Sequence, residues 1–220
     1  MTTTNQSNNF IRPVKIRSEN ISYAGNRLVT KALTIEHNDK IEHWETVERL
    51  KQADTTAHGV YVVAVLQRKA SGPAILLEKQ YRVPMDAYVL EFPGGFMQRG
   101  ETAEQAAQRE LLEETGYTAT RTLRISPGAC TEAASVMFNT CHFVTLFVDA
   151  DHPINHAPKQ NIPENEIELI EVIEVPFDEL NSVINEHSSQ GVYIMSELYT
   201  FALAAGNFSE VFRDDIENKE

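Results

Sequence analysis

The clearest pattern along the chain is the run Val60-Tyr61-Val62-Val63-Ala64-Val65-Leu66, short and apolar throughout, as expected of a strand buried on both faces. Ser71-Gly72-Pro73 predicts a turn into a hairpin partner over 74–81. Tyr88 to Phe92 forms a third strand that Pro93-Gly94-Gly95 stops. From Glu101 to Thr115 the period changes. Ala103, Ala106, Ala107, Leu111 and Leu112 supply apolar faces at helical spacing, and Gly116 is the C-cap residue. Strands are predicted again over 118–125, 141–148 and 166–175, with a Pro-, Asn-, Asp- and His-rich loop at 149–163. Two helices follow, from Pro176 to about Glu186 and from Met195 to Ala205.

Upstream, the stretch from Ile11 to Arg49 favours strands, with Asn38-Asp39 as a turn between segments 28–35 and 41–47. Such a β-rich piece is marginal alone and needs a partner surface. Lys51 to His58 is polar and reads as a linker. The expected organisation is a disordered tail over 1–10, a β-rich dimerisation domain over 11–56, a main α/β domain over 57–208 with helices on the faces of a mixed sheet, and an acidic tail over 209–220.

Composition narrows the partners. The 220 residues carry 32 Asp and Glu against 19 Lys and Arg, a formal charge of -13, which disfavours nucleic acid and anionic membranes. A polyanionic substrate therefore requires local cations or metal. The N-terminus MTTTNQSNN lacks the basic and apolar regions of a signal peptide, and no apolar run approaches a membrane span. Cys130 and Cys141 lack metal-ligand spacing and read as reduced structural thiols. A cytoplasmic location is expected.

The candidate chemistry lies in GFMQRGETAEQAAQRELLEETGY, residues 95–117. On a helix, Glu110, Glu113 and Glu114 fall within a sector of about 100°. Like charges that close destabilise a surface helix, so something must compensate them. Magnesium suits such a cluster, because hard cations take a few carboxylate oxygens together with substrate phosphates. Arg109 adds a fixed cation able to orient a carboxylate. An isolated E-x-x-E pair on a helix is usually a solvated acidic face. Here, however, seven fixed identities recur at set spacing: Gly95, Glu101, Arg109, Glu110, Glu113, Glu114 and Gly116. Their chance match is on the order of 1 in 10⁸ to 10⁹ per start position.

This spacing resembles the Nudix hydrolase signature, G-x5-E-x7-R-E-U-x-E-E-x-G-U with U hydrophobic, at every fixed position. Tyr117 stands in the last place, where aliphatic residues are commoner. The resemblance implies an α/β/α sandwich with a mixed sheet, and metal-dependent cleavage of a nucleoside diphosphate linked to another group. It implies two or three magnesium ions, or manganese, held by Glu110 and Glu114, with Glu113 and the Gly94 carbonyl.

The flanks are similar to the ADP-ribose and ADP-sugar pyrophosphatase branch. The similarity lies in HWETVER at 43–49, GVYVVAVLQR at 59–68, LLEKQYRVPMDAYVLEFPGG at 76–95, then SPGACTE, HFVTLF, VPFDEL and LYTFALA. It implies that Trp44 stacks on adenine within a homodimer whose N-terminal domains are exchanged. Base stacking of this kind is worth about 1–3 kcal/mol. A second adenine-stacking aromatic would fall near Leu28, and leucine cannot replace it. The resemblance also gives Arg49 and Arg82 to the diphosphate or terminal ribose, and Glu91 to the region of the metals and sugar. A surface ion pair is the plain alternative for either arginine.

Within PENEIE, the resemblance asks one of Glu164, Glu166 and Glu168 to orient the attacking water, and alignment backward from VPFDEL favours Glu168. The implied activity is conversion of ADP-ribose, or a related ADP-sugar, to AMP and a sugar phosphate. The competing readings are hydrolysis of another nucleotide sugar such as GDP-mannose, hydrolysis of an oxidised nucleoside diphosphate, and a catalytically silent ADP-ribose sensor.

Overall fold

The computed structural model describes residues 13–51, 54–164 and 169–206. The expected tails at 1–10 and 209–220 lie outside them. The chain divides into two compact units, the first made of residues up to Lys51 together with Thr131–Asn139, the second of the remainder.

In the first unit, β1 (Lys15–Ala24), β2 (Leu28–His37) and β3 (Lys40–Arg49) form an antiparallel meander. Asn38 and Asp39 both take left-handed backbone, at φ of 49° and 61°, which is the tight hairpin turn the dipeptide predicts. Pairing of Leu33 with Trp44 and of Ile16 with Ile35 puts these four residues on one face. The short β10 (Met137–Phe138) adds parallel to β3, an addition the sequence pattern did not suggest. None of the described hydrophobic residues of this unit is buried; Ile21 is 63% exposed.

The second unit is built on a mixed nine-stranded sheet. Its elements are β4 (Gly59–Arg68), β5 (Ser71–Arg82), β6 (Ala87–Glu91), β7 (Gly94–Phe96), β8 (Arg121–Ile125), β9 (Cys130–Thr131), β11 (Thr140–Asp149), β12 (Ile170–Pro176) and β13 (Tyr193–Ile194). Helix α1 (Ala103–Glu110) covers one face; α2 (Leu180–Ser189) and α3 (Ser196–Ala205) cover the other. The apolar run of β4 follows from this double cover. Val60, Val62, Ala64 and Leu66 pack with Ala106, Ala107 and Leu111, while Val63 packs with Leu180, Ile184 and Leu198.

Three expectations need correction. The hairpin turn falls at Lys69–Ala70, and Ser71-Gly72-Pro73 already belongs to β5. Pro73 is tolerated there because the β4–β5 ladder is irregular beside it, so its missing N–H breaks no regular pair. The stretch read as a polar linker carries buried Thr55, Ala57 and His58. His58 Nδ1 lies 2.8 Å from Thr140 Oγ1 and accepts the Thr140 N–H, so that nitrogen is satisfied inside. The signature helix ends in a π-helical turn, Leu111–Thr115, rather than as regular α-helix. π-turns are frequent at functional sites.

A fork in the sheet prepares the site. β4 and β5 pair only near their shared turn, and further out β4 pairs with β7 while β5 pairs with β6. The segment joining β6 to β7 therefore wedges between them.

Candidate active site

The start of α1 is set by a capping box. Thr102 Oγ1 accepts the Gln105 N–H, and Gln105 Oε1 accepts the Thr102 N–H. Glu101, just before it, accepts the Gln98 N–H at 2.7 Å and holds Arg109 through both carboxylate oxygens at 2.8 and 3.0 Å. The same guanidinium reaches Glu110 at 2.9 Å, Glu113 at 3.0 Å and the Phe96 carbonyl at 2.8 Å. Three of the four signature glutamates thus converge on one arginine, the compensation that the acidic cluster requires.

Burial opposes the Arg109 charge, but the Glu101 hydrogen bond and the nearby Glu110 carboxylate outweigh it and raise its pKa. In return the Arg109 hydrogen bond holds the Glu101 carboxyl below its ordinary range.

The fourth glutamate, Glu114, is 4% exposed and accepts the Gly94 N–H at 2.8 Å. Glu110 lies against the neighbouring peptide: a Cβ on Gly95 would come 2.5 Å from Glu110 Cδ, so any side chain there would displace the Glu110 carboxylate. Gly116 closes the helix with φ of 77°, its N–H bonded to Leu112 O. A Cβ there would meet the backbone of Lys159, whose loop also donates the Asn161 N–H to Glu113 O at 2.8 Å. The signature glycines are therefore places where backbone or carboxylate comes too close for a side chain.

Among the described residues no three His, Cys, Asp or Glu side chains are grouped to hold a metal ion. The donor set nevertheless fits one. Glu110 and Glu114 are hard oxygen donors drawn against a bare diglycine backbone, and magnesium is bound through one or two carboxylates plus substrate oxygens rather than by a protein cage.

On the β5–β6 arm, Arg82 Nε donates to Glu91 Oε1 at 2.9 Å. Burial opposes the Arg82 charge, yet Glu91, and after it Tyr61 and Glu114, raise its pKa. Arg82, Glu91, Gly94, Arg109, Glu110, Glu113 and Glu114 thus all belong to the second unit, around the fork. Trp44 and Arg49 belong to β3 of the first unit. Trp44 is 47% exposed, with Nε1 donating to Glu42 at 3.3 Å. Leu28 pairs with Arg49 and lies on the face opposite Trp44, so the two cannot flank one ring within a single sheet. Glu164 is exposed, whereas Glu166 and Glu168 lie outside the described residues.

Two features escaped the sequence reading. Glu78 is buried directly across from Glu91, and its only sequence signal is a charge inside an apolar strand. Tyr117, the odd residue of the signature, donates its hydroxyl to Glu174 and lies 3.3 Å from Arg68 Nη2, while Arg68 grips both oxygens of Glu174. Burial, then the Glu174 hydrogen bond, pushes the Tyr117 phenol up to about 12.

A helix end gathers carboxylates against two glycine peptides, at a fork in a mixed sheet covered by helices on both faces, the arrangement of an α/β-class fold with a carboxylate-lined site. The NUDIX domain matches residues 55–196, and the chain belongs to the Nudix family of hydrolases. Nudix hydrolases generally use divalent metal ions. The chain is 34% identical over 175 residues to the ADP-sugar pyrophosphatase of Mus musculus, covering 79% of this chain and 78% of that protein. It is 33% identical over 130 residues to the ADP-ribose pyrophosphatase of Saccharomyces cerevisiae, covering 59% and 55%. A crystal structure of an ADP compounds hydrolase superposes with a TM-score of 0.58 at 18% identity, covering 80% of this chain and 85% of that one, which shows the shared fold.

Proposed function

We propose that this protein is a divalent-metal-dependent pyrophosphatase that adds water across the diphosphate bridge of ADP-ribose, and of related ADP-sugars, to release AMP and a sugar phosphate. The observation that carries it is the convergence of Glu110 and Glu114 on the Gly94-Gly95 backbone, with Arg109 holding Glu110 and Glu113. The names of the mouse and yeast relatives support the substrate class.

Glu110, Glu114, Glu113 and the Gly94 carbonyl are the residues that would hold magnesium or manganese, two or three ions in all. Bound metal supplies neutralisation of the diphosphate and polarisation of its phosphoryl oxygens. The chain's own residues do the rest. Arg109 keeps the carboxylates from splaying apart under mutual repulsion. Arg82, steered by Glu91 through its Nε, turns its two terminal nitrogens to phosphate oxygens in the planar fork that suits them. Trp44 stacks on adenine and Arg49 supports the anionic end of the substrate. Glu168, or its neighbours Glu164 and Glu166, orients the attacking water. Catalysis comes from positioning and charge stabilisation, with no covalent intermediate on the protein.

The active form in this reading is a homodimer with exchanged N-terminal units. Its support is a sheet carrying Ile16, Leu33, Ile35 and Trp44 on one face with no described hydrophobic residue buried, which needs a covering surface. A monomer by light scattering at full activity would refute it. We place the enzyme in the cytoplasm, in keeping with two free cysteines; no described helix is long and apolar enough to cross a membrane.

The deciding experiment is a panel of ADP-ribose, ADP-glucose, GDP-mannose and oxidised nucleoside diphosphates with magnesium or manganese, read by phosphate release after phosphatase coupling. ADP-ribose is expected to lead. Preference for a guanine or oxidised substrate would overturn the substrate assignment, and no turnover of any would favour a silent sensor.

A further inference from the structure

We propose that Tyr61 is a positioning residue of the diphosphate site, holding the Gly94 peptide in place for Glu114. This rests on the reading of the site given above.

The argument starts from the fork. β7 takes over the outer half of β4, pairing Gly59 with Phe96, Val60 with Gly95 and Tyr61 with Gly94, and the Val62 N–H then donates to Pro93 O at 2.8 Å. Tyr61 is therefore the last β4 residue paired across to the strand that carries the two glycine peptides. The approach is close. A Cβ on Gly94 would lie 2.3 Å from Val60 O and 3.1 Å from both Cα and Cδ1 of Tyr61, so the ring edge lies close to bare backbone.

The other flank of the ring meets Phe143, paired with Tyr61 on β11, at 5.4 Å between centroids and 32° between planes. The ring is thus held between a core aromatic and the Gly94 peptide. That peptide is the one whose N–H binds Glu114, so the ring fixes Glu114 through a single intervening bond.

A plain aliphatic residue would fill the core at position 61 equally well, but it would not lay a ring edge on Gly94. Small displacements of such elements matter, since a misplacement of about 1 Å can cost about a hundredfold in rate.

The test uses full-length Tyr61→Phe, Tyr61→Ala and Phe143→Leu, with three measurements on each. These are manganese binding without substrate by titration calorimetry, kcat and KM on ADP-ribose, and melting temperature. Tyr61→Phe keeps the ring edge on Gly94 and is expected to keep manganese affinity, kcat and KM within about twofold. Tyr61→Ala should weaken manganese binding by about fivefold or more and lower kcat by about tenfold or more, both recovered in the Phe variant. Phe143→Leu thins the same aromatic pair from the side away from Gly94. It should lower the melting temperature and leave manganese affinity unchanged.

Wild-type manganese affinity in Tyr61→Ala would overturn the proposal, and so would an equal loss in Phe143→Leu, which would reduce Tyr61 to core packing. If Tyr61→Ala does not fold, Tyr61→Leu carries the same comparison. Absence of ADP-ribose turnover by the wild type would sink the substrate reading while leaving the manganese comparison intact, so the two failures are distinguishable.

Discussion

Replacing Glu114 by Gln separates fold from chemistry most cleanly. The side chain is buried and accepts the Gly94 N–H at 2.8 Å. Glutamine has the same shape and keeps a carbonyl oxygen that can accept that N–H. At that bond the structural loss is the difference between a charge-assisted and a neutral hydrogen bond, about 1 kcal/mol. Removing a like charge beside Glu110 and Glu113 offsets part of it. The melting temperature should move by only a few degrees, about 2–4 °C for a domain of this size. Chemistry suffers far more, because an amide is a neutral and weaker donor to a hard cation.

Loss of about 3–5 kcal/mol of transition-state stabilisation lowers kcat by about two to four powers of ten at 1.36 kcal/mol each. The assay is phosphatase-coupled phosphate release from ADP-ribose at saturating magnesium, with a thermal melt of the same preparation. Activity within about threefold of wild type, in a protein that melts normally, would refute the metal assignment of Glu114.

Three further outcomes follow from the same geometry. Gly95→Ala drives a methyl group into the Glu110 carboxylate and should cut activity by about tenfold or more; a fully active variant would mean that Glu110 need not lie against that peptide. Tyr117→Phe removes the hydroxyl that bridges Arg68 and Glu174, and should cost about 0.5–1.5 kcal/mol in urea unfolding with kcat unchanged. Glu101 titrates below its ordinary range in the folded state because of Arg109, so its contribution to stability is complete above about pH 4.3 and is lost as the pH falls through its lowered pKa. Arg109→Met should flatten that acid-side loss; identical acid unfolding curves for the two proteins would contradict the pairing.

How the site became legible differs from residue to residue. Glu110, Glu113 and Glu114 could be placed on one helical sector because helical period is local, and Gly95 and Gly116 stood out through spacing alone. The reason for the glycines was not visible. Gly95 lies against a carboxylate arriving from a helix turn 15 residues later, and Gly116 is required by the backbone of Lys159, contacts between segments distant along the chain. Arg109 was expected to orient one carboxylate; it holds three, because Glu101 is brought back over the helix by the Gln98 N–H.

The sequence by itself determined the reaction class, the two-sided burial of β4 and the hairpin at Asn38-Asp39, all of which depend on neighbours within a turn or a strand. Only tertiary structure decided the π-turn at Leu111–Thr115, the fork that gathers Arg82, Gly94 and Glu114, and the joining of Thr131–Asn139 to the first unit. Those features arise from pairings between remote segments, where register and close approach are set by the whole sheet rather than by any local run of residues.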